Sequence, residues 1–123
     1  MSPNEYIQNA LRTAPSEYTF GNTGDVTPRI EHAVIGMVTE AGECLDAIKK
    51  SKIHGKPLDK INLIEEVGDV MWYIALLADE LGVSFEEIWE KNINKLRVRF
   101  PEKYSSEHAI NHDTEAERKV LEQ

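Results

Sequence analysis

The sequence predicts an all-α fold with a four-helix-bundle-like core, and three observations carry that prediction. Apolar residues recur at three- and four-residue spacing along several long stretches. Strand-like alternation is nowhere sustained, and helix-start and helix-stop residues bracket each periodic stretch. At 123 residues the chain suits one domain, large enough for a real core but not for two.

Each element has its own punctuation. Ser2-Pro3-Asn4-Glu5 is a capping box with Pro at the first helical position, which predicts a short helix to about Thr13. Residues 15–27 hold Pro, Ser, Thr, Asn and two Gly and read as a loop. Thr27-Pro28 opens a second helix that runs to about Ile53 and stops before Gly55 and Pro57. Asp59 caps a third, which ends near Leu81 with Gly82 as its stop. Ser84 and Glu87 form the capping box of a fourth helix, ending before Pro101. Residues 1–104 are therefore expected to form one helical domain. Residues 105–123 read as a polar C-terminal tail with a possible short helix from Asp113.

Charge and composition narrow the function. Fourteen Lys and Arg against 22 Asp and Glu leave a net charge of −8, which argues against direct nucleic-acid binding. An acidic protein still binds a polyphosphate when a divalent cation bridges the two. The single cysteine, Cys44, excludes an internal disulfide and reads as a core thiol. No charged-then-apolar leader and no apolar run of membrane-spanning length is seen, so the expectation is a cytoplasmic chain that avoids membranes.

One acidic pattern occurs twice. Met37-Val38-Thr39-Glu40-Ala41-Gly42-Glu43-Cys44-Leu45 and Leu63-Ile64-Glu65-Glu66-Val67-Gly68-Asp69-Val70-Met71 each set two carboxylates three residues apart around a Gly. At about 100° per residue, helix two carries an apolar stripe of Ile30, Val34, Met37, Ala41, Cys44, Leu45 and Ile48, expected to face the core. Beside it runs a row of small residues and acids: Ala33, Gly36, Glu40, Glu43 and Ala47. On helix three the expected inward set is Leu63, Val67, Val70, Met71, Ile74, Ala78 and Leu81, flanked by Asn62, Glu66, Asp69 and Tyr73. Packed antiparallel, the two helices would gather four carboxylates round one small volume. Like charges so gathered repel, and a hard cation relieves the cost. An oxygen-only donor set favours Mg²⁺, with Mn²⁺ as a substitute, over zinc or copper. A carboxylate-bridged di-iron site would need Glu-x-x-His on two helices, and no His follows either acid at that spacing. The plainer alternative is a pair of solvated acidic faces.

Helix four supplies the opposite sign. Its apolar side is Phe85, Ile88, Trp89, Ile93, Leu96 and Phe100, edged by Asn92, Lys95 and Arg99. Such a row suits phosphate oxygens, or else snorkels along the core edge.

Together these residues resemble the MazG-like family of all-α nucleoside triphosphate pyrophosphohydrolases. The resemblance rests on Glu40-x-x-Glu43 and Glu66-x-x-Asp69, on Gly68-Asp69-Val70-Met71-Trp72-Tyr73, and on Lys91-Asn92-x-x-Lys95-Leu96-x-x-Arg99-Phe100-Pro101, over roughly residues 28 to 104. It implies Mg²⁺-dependent hydrolysis of a (deoxy)nucleoside triphosphate to the monophosphate and pyrophosphate. It further implies Glu40, Glu43, Glu66 and Asp69 as metal ligands and Asn92, Lys95 and Arg99 as contacts to the nucleotide or its phosphates. Glu43 is the choice for the proton acceptor, with Glu65 as the alternative. Tyr18, Phe20 and Asn22 in the loop, His32 and Tyr73 are candidate contacts for the base, and Trp72 reads as an interface anchor. Helix three is apolar nearly all round, so a homo-oligomer is expected; the resemblance specifies dimers or tetramers. Two alternatives stay open: a catalytically silent nucleotide-binding module on the same fold, and a helical interaction protein.

Overall fold

The computed structural model describes all of residues 1–123 and is helical without a strand. Six helices follow one another: α1 (Pro3–Leu11), α2 (Pro28–Lys52), α3 (Lys60–Leu81), α4 (Phe85–Arg99), α5 (Ser106–Ile110) and α6 (Thr114–Glu122). They group into two compact units, Met1–Val83 and Ser84–Gln123.

Local chemistry sets the helix ends of the first unit. The Ser2 hydroxyl accepts from the Glu5 amide at 3.1 Å while the Glu5 carboxylate accepts from the Ser2 amide, a complete capping box. Thr27 caps α2 through the Ile30 amide and Asp59 caps α3 through the Asn62 amide. Gly82 ends α3 in the left-handed region at φ 70°, where a side chain would be strained. In the loop before α2, Thr23 and Val26 exchange two backbone hydrogen bonds across Gly24, itself at φ 59°.

Helices α2 and α3 are antiparallel, and α1 packs on α3. The Arg29 guanidinium at the start of α2 pairs with Asp79 at 2.9 Å and Glu80 at 2.7 Å at the end of α3. Farther along, Gly36 lies against the Tyr73 ring. The Trp72 indole N–H donates to the Ala10 carbonyl at 3.1 Å and to the Thr13 hydroxyl at 2.8 Å. Trp72, expected at a subunit interface, thus ties α3 to the end of α1 within one chain.

The buried face of α2 is not the one its large apolar residues predict. Ala33, Gly36 and Ala47 are buried, whereas Val34, Leu45 and Ile48 of the expected core stripe are exposed, Leu45 by 69%. Likewise Val67, Met71 and Leu81 of α3 are exposed, and Ala75, Leu76 and Ala78 are buried. The physical reason is close approach. A seam of Ala and Gly lets two helix axes draw together until backbone and ring meet, and the bulkier row is turned outward.

In the second unit, α4 packs on α6. Ser84 caps α4, Ser105 caps α5 and Asp113 caps α6. The start of α6 lies where the sequence places it; α5 is an addition. Glu117 on α6 is 5% exposed. Its carboxylate accepts from both Nε (2.8 Å) and Nη2 (3.0 Å) of Arg99, a two-point pairing that joins the two helices. Lys91 reinforces it by donating to the Leu121 carbonyl at 2.8 Å. Along α4, Ile88, Trp89 and Ile93 of the expected apolar side are exposed. No helix of the chain is long and apolar enough to cross a membrane.

Candidate functional site

The antiparallel register brings the two acidic rows face to face. Carboxylate oxygens of Glu40, Glu66 and Asp69 all lie within 4.8 Å of one another. Glu66 is buried, Glu40 half-buried and Asp69 exposed, so the group sits at the mouth of the seam. The small neighbours that close the seam also make this possible, since Ala33 and Gly36 bring α2 near enough for Glu40 to reach across to α3.

Electrostatics match the geometry. Burial pushes the Glu40 carboxyl above its ordinary range, helped by a shared hydrogen bond with Glu66 and repulsion from Asp69, Glu66 and Glu43. Glu66 is steadied by Asn62, whose side-chain amide donates to Oε1 at 3.1 Å from one turn earlier on α3. The Tyr6 hydroxyl of α1 lies 3.4 Å from the Gly68 carbonyl, and burial and the Asp69 charge raise its pKa.

Three carboxylates crowded so closely resist sharing the site without a cation, and the donors are all oxygens. That set fits a hard divalent ion such as Mg²⁺. It does not offer the nitrogen or sulfur ligands that zinc and copper prefer.

Glu43 does not join the group. It is exposed and lines a second cavity of about 440 Å³ with Asp46, Lys50, Lys56, Asp59 and Asn62. Asn62 is common to both places, because its amide also holds Glu66. Glu65, the other candidate base, is exposed on α3.

Beside the three carboxylates, Glu40 and Asp69 share a cavity of about 300 Å³ with Trp72 and Tyr73. Behind its aromatic wall is a run of edge-on rings. Tyr73 meets Trp72 at 5.0 Å and His32 at 5.4 Å between centroids, and His32 meets Tyr18 at 5.4 Å. The Tyr18 hydroxyl is 2.7 Å from His32 Nδ1, and Phe20 stacks at a tilt on Tyr18. The loop aromatics, His32 and Tyr73 are therefore one connected group. Asn22 is exposed in the loop.

On α4, Asn92 is exposed and Lys95 half-buried, while Arg99 is held by Glu117. Asn62 is the residue whose part in the site the sequence left unstated. Its signal was present: it lies four residues before Glu66 on the same row, within reach of a side-chain hydrogen bond.

Comparison with known proteins gives the family of the chain. The sequence model of the MazG nucleotide pyrophosphohydrolase domain matches residues 30–104, which include both acidic pairs and α4. The chain is 35% identical over 74 residues to the Gene 37 protein of Mycobacterium phage L5, a match covering 57% of this chain and 65% of that protein. It is 37% identical over 73 residues to the uncharacterized protein YvdC of Bacillus subtilis (strain 168), covering 52% of this chain and 69% of that one. The matches thus span about two thirds of either relative. No solved structure matches the chain.

Proposed function

The chain belongs to the MazG nucleotide pyrophosphohydrolase family, and on that premise we propose that it is a Mg²⁺-dependent nucleoside triphosphate pyrophosphohydrolase of the cytoplasm. Water and a (deoxy)nucleoside triphosphate would yield the monophosphate and pyrophosphate. The observation that carries the reading is the convergence of Glu40, Glu66 and Asp69 beside an aromatic-walled cavity.

In this reading Glu40, Glu66 and Asp69 would hold the cation, and Glu43, one turn farther along α2, stands outside that set. Mg²⁺, or Mn²⁺ in its place, would supply neutralisation of the triphosphate charge and polarisation of the phosphoryl group. Glu43, the acid outside the tight cluster, is the proton acceptor for the attacking water. Tyr73 and His32 offer ring faces and a ring nitrogen to the base. Asn92 and Lys95 of α4 are assigned to the phosphates. Arg99 can serve there only by exchanging its bond to Glu117 for one to substrate. The working form is a homodimer or homotetramer; the exposed apolar rows of α2 and α3 support it, with Val38 69% and Ile64 73% exposed.

A second reading, a nucleotide-binding module without turnover, is favoured by one observation: Glu43 stands apart from the other three acids. One experiment separates the two. Purified protein is incubated with a panel of deoxynucleoside triphosphates and Mg²⁺, and the products are resolved. Monophosphate with pyrophosphate is the expected result, and tight binding without products supports the silent module. Asp69→Asn should abolish turnover, and Glu43→Gln should lower kcat by about 10²-fold or more, with helix content unchanged. Full activity in both variants would remove the assigned site.

A further inference from the structure

Positive charge is unevenly placed along this acidic chain. Five lysines fall between residues 49 and 60 against a single acid, Asp59, while the whole chain carries −8. These lysines occupy the end of α2, the connection to α3 and the first residue of α3. The connection folds back on itself: Gly55 adopts φ 67°, and the Lys56 amide donates to the Lys50 carbonyl at 3.2 Å. That turn sets Lys50 and Lys56 on the wall of the cavity of about 440 Å³ that begins at Glu43.

Two of the three acids in this wall have other work, and the third, Glu43, stands on the side of α2 that leads to Glu40. Asp59 caps α3 through the Asn62 amide at 3.0 Å, and Asp46 holds the Lys50 ammonium at 2.9 Å. Lys56 makes no ion pair. Asn62 also lines the cavity, with its side-chain amide on Glu66 at 3.1 Å. The cavity therefore carries two ammonium groups on its wall and shares Asn62 with the three-carboxylate cluster, and its volume suits a small ligand.

We propose that this cavity binds an oligophosphate, the terminal phosphates of the nucleoside triphosphate, with Lys50 and Lys56 as its cationic contacts. The assignment rests on the pyrophosphohydrolase reading and extends it by placing the departing pyrophosphate. The phosphate chain lies with one end at Glu40, Glu66 and Asp69 and the other between the two lysines. There its charge meets the basic connection in place of the acidic remainder of the chain.

Titration calorimetry with Mg²⁺ present tests the assignment on wild type, Lys50→Gln, Lys56→Gln, the double variant and a control, Lys119→Gln on α6. The probes are inorganic tripolyphosphate, a deoxynucleoside triphosphate and the matching monophosphate; hydrolysis is assayed on the same samples and helix content by circular dichroism. Two lost charge-assisted contacts should weaken tripolyphosphate and triphosphate binding about tenfold or more in the double variant. Monophosphate binding should stay within about twofold, since it lacks the terminal phosphates, and the control should match wild type. Lys56→Glu should weaken triphosphate further and raise KM more than it lowers kcat. Wild type that hydrolyses triphosphates while the double variant binds tripolyphosphate as tightly as wild type would overturn this subsite and leave the enzyme standing. Wild type that binds tripolyphosphate through the lysines without hydrolysis would do the reverse. An equal loss for mono- and triphosphate would also overturn it, as that marks a general effect of charge or folding.

Discussion

At Gly36 the absence of a side chain decides where an aromatic ring can stand. A methyl group built there would overlap the Tyr73 ring. The same ring touches His32 and Trp72 and lines the cavity with Glu40 and Asp69. Gly36→Ala must push Tyr73 out of that wall or spread α2 from α3. Overpacking of this kind costs about 1–3 kcal/mol, so chemical denaturation should show a loss of that size. If Tyr73 contacts the base, KM for the triphosphate should rise as well, and Gly36→Ala with Tyr73→Phe should be no worse than the glycine change alone if the hydroxyl is idle. An alanine variant as stable and active as wild type would show that the seam accommodates a methyl group at this position. Other single residues were legible beforehand to different degrees. The pairing of Glu40 with Glu66 and Asp69 followed from matching rows on two helices. The position of Glu43 did not, because reaching the cluster depends on distance across the seam, which spacing alone does not encode.

At the scale of elements, α4 and α6 are held by one buried acid. The Arg99 hydrogen bonds pull the Glu117 carboxyl below its ordinary value of 4.5, with further help from His112. A depressed folded-state pKa means that Glu117 stabilises the packed pair above the ordinary carboxylate range. That stabilisation is lost as pH falls through the folded value, when the carboxylate takes up a proton and the two-point ionic pairing ends. Amide hydrogen exchange should therefore show α6 protected near neutrality and opening in acid below pH 4.5. In Glu117→Gln the α6 amides should exchange faster at neutral pH and the acid step should vanish. An unchanged acid step in that variant would assign the transition to another group. The element boundaries themselves were legible because each start is a local device: a hydroxyl or carboxylate two or three residues ahead of the amide it accepts from. The short α5 was not anticipated, as five residues carry too little periodicity to register.

At the scale of the whole molecule, the large exposed apolar surface of α2 and α3 is what a lone chain does not explain. Ile61, Ile64 and Val67 on α3 and Val34, Val38 and Leu45 on α2 all face solvent. So many exposed apolar residues on two neighbouring helices suit an association surface, and a second copy of the chain is the proposed occupant. Light scattering after size exclusion should give a mass of at least two chains, and Ile64→Glu should lower it to one while helix content is kept. A monomeric wild type at micromolar concentration would remove the oligomer proposal without touching the acid cluster. Trp72 illustrates why such surfaces are hard to assign in advance: its size suggested an interface, but its indole N–H found a partner in α1 instead.

Sequence alone determined the all-α class, the limits of helices α1 to α4 to within about a turn and the two rows of acids that meet. Each of these is written in residues a few positions apart, through capping hydrogen bonds and the 3.6-residue turn. Only the tertiary structure decided which of two neighbouring rows on α2 is buried, and that three acids and not four draw together. Those outcomes depend on how closely residues some 30 positions apart in the chain can approach, and that distance is set by the volumes of side chains from both helices at once.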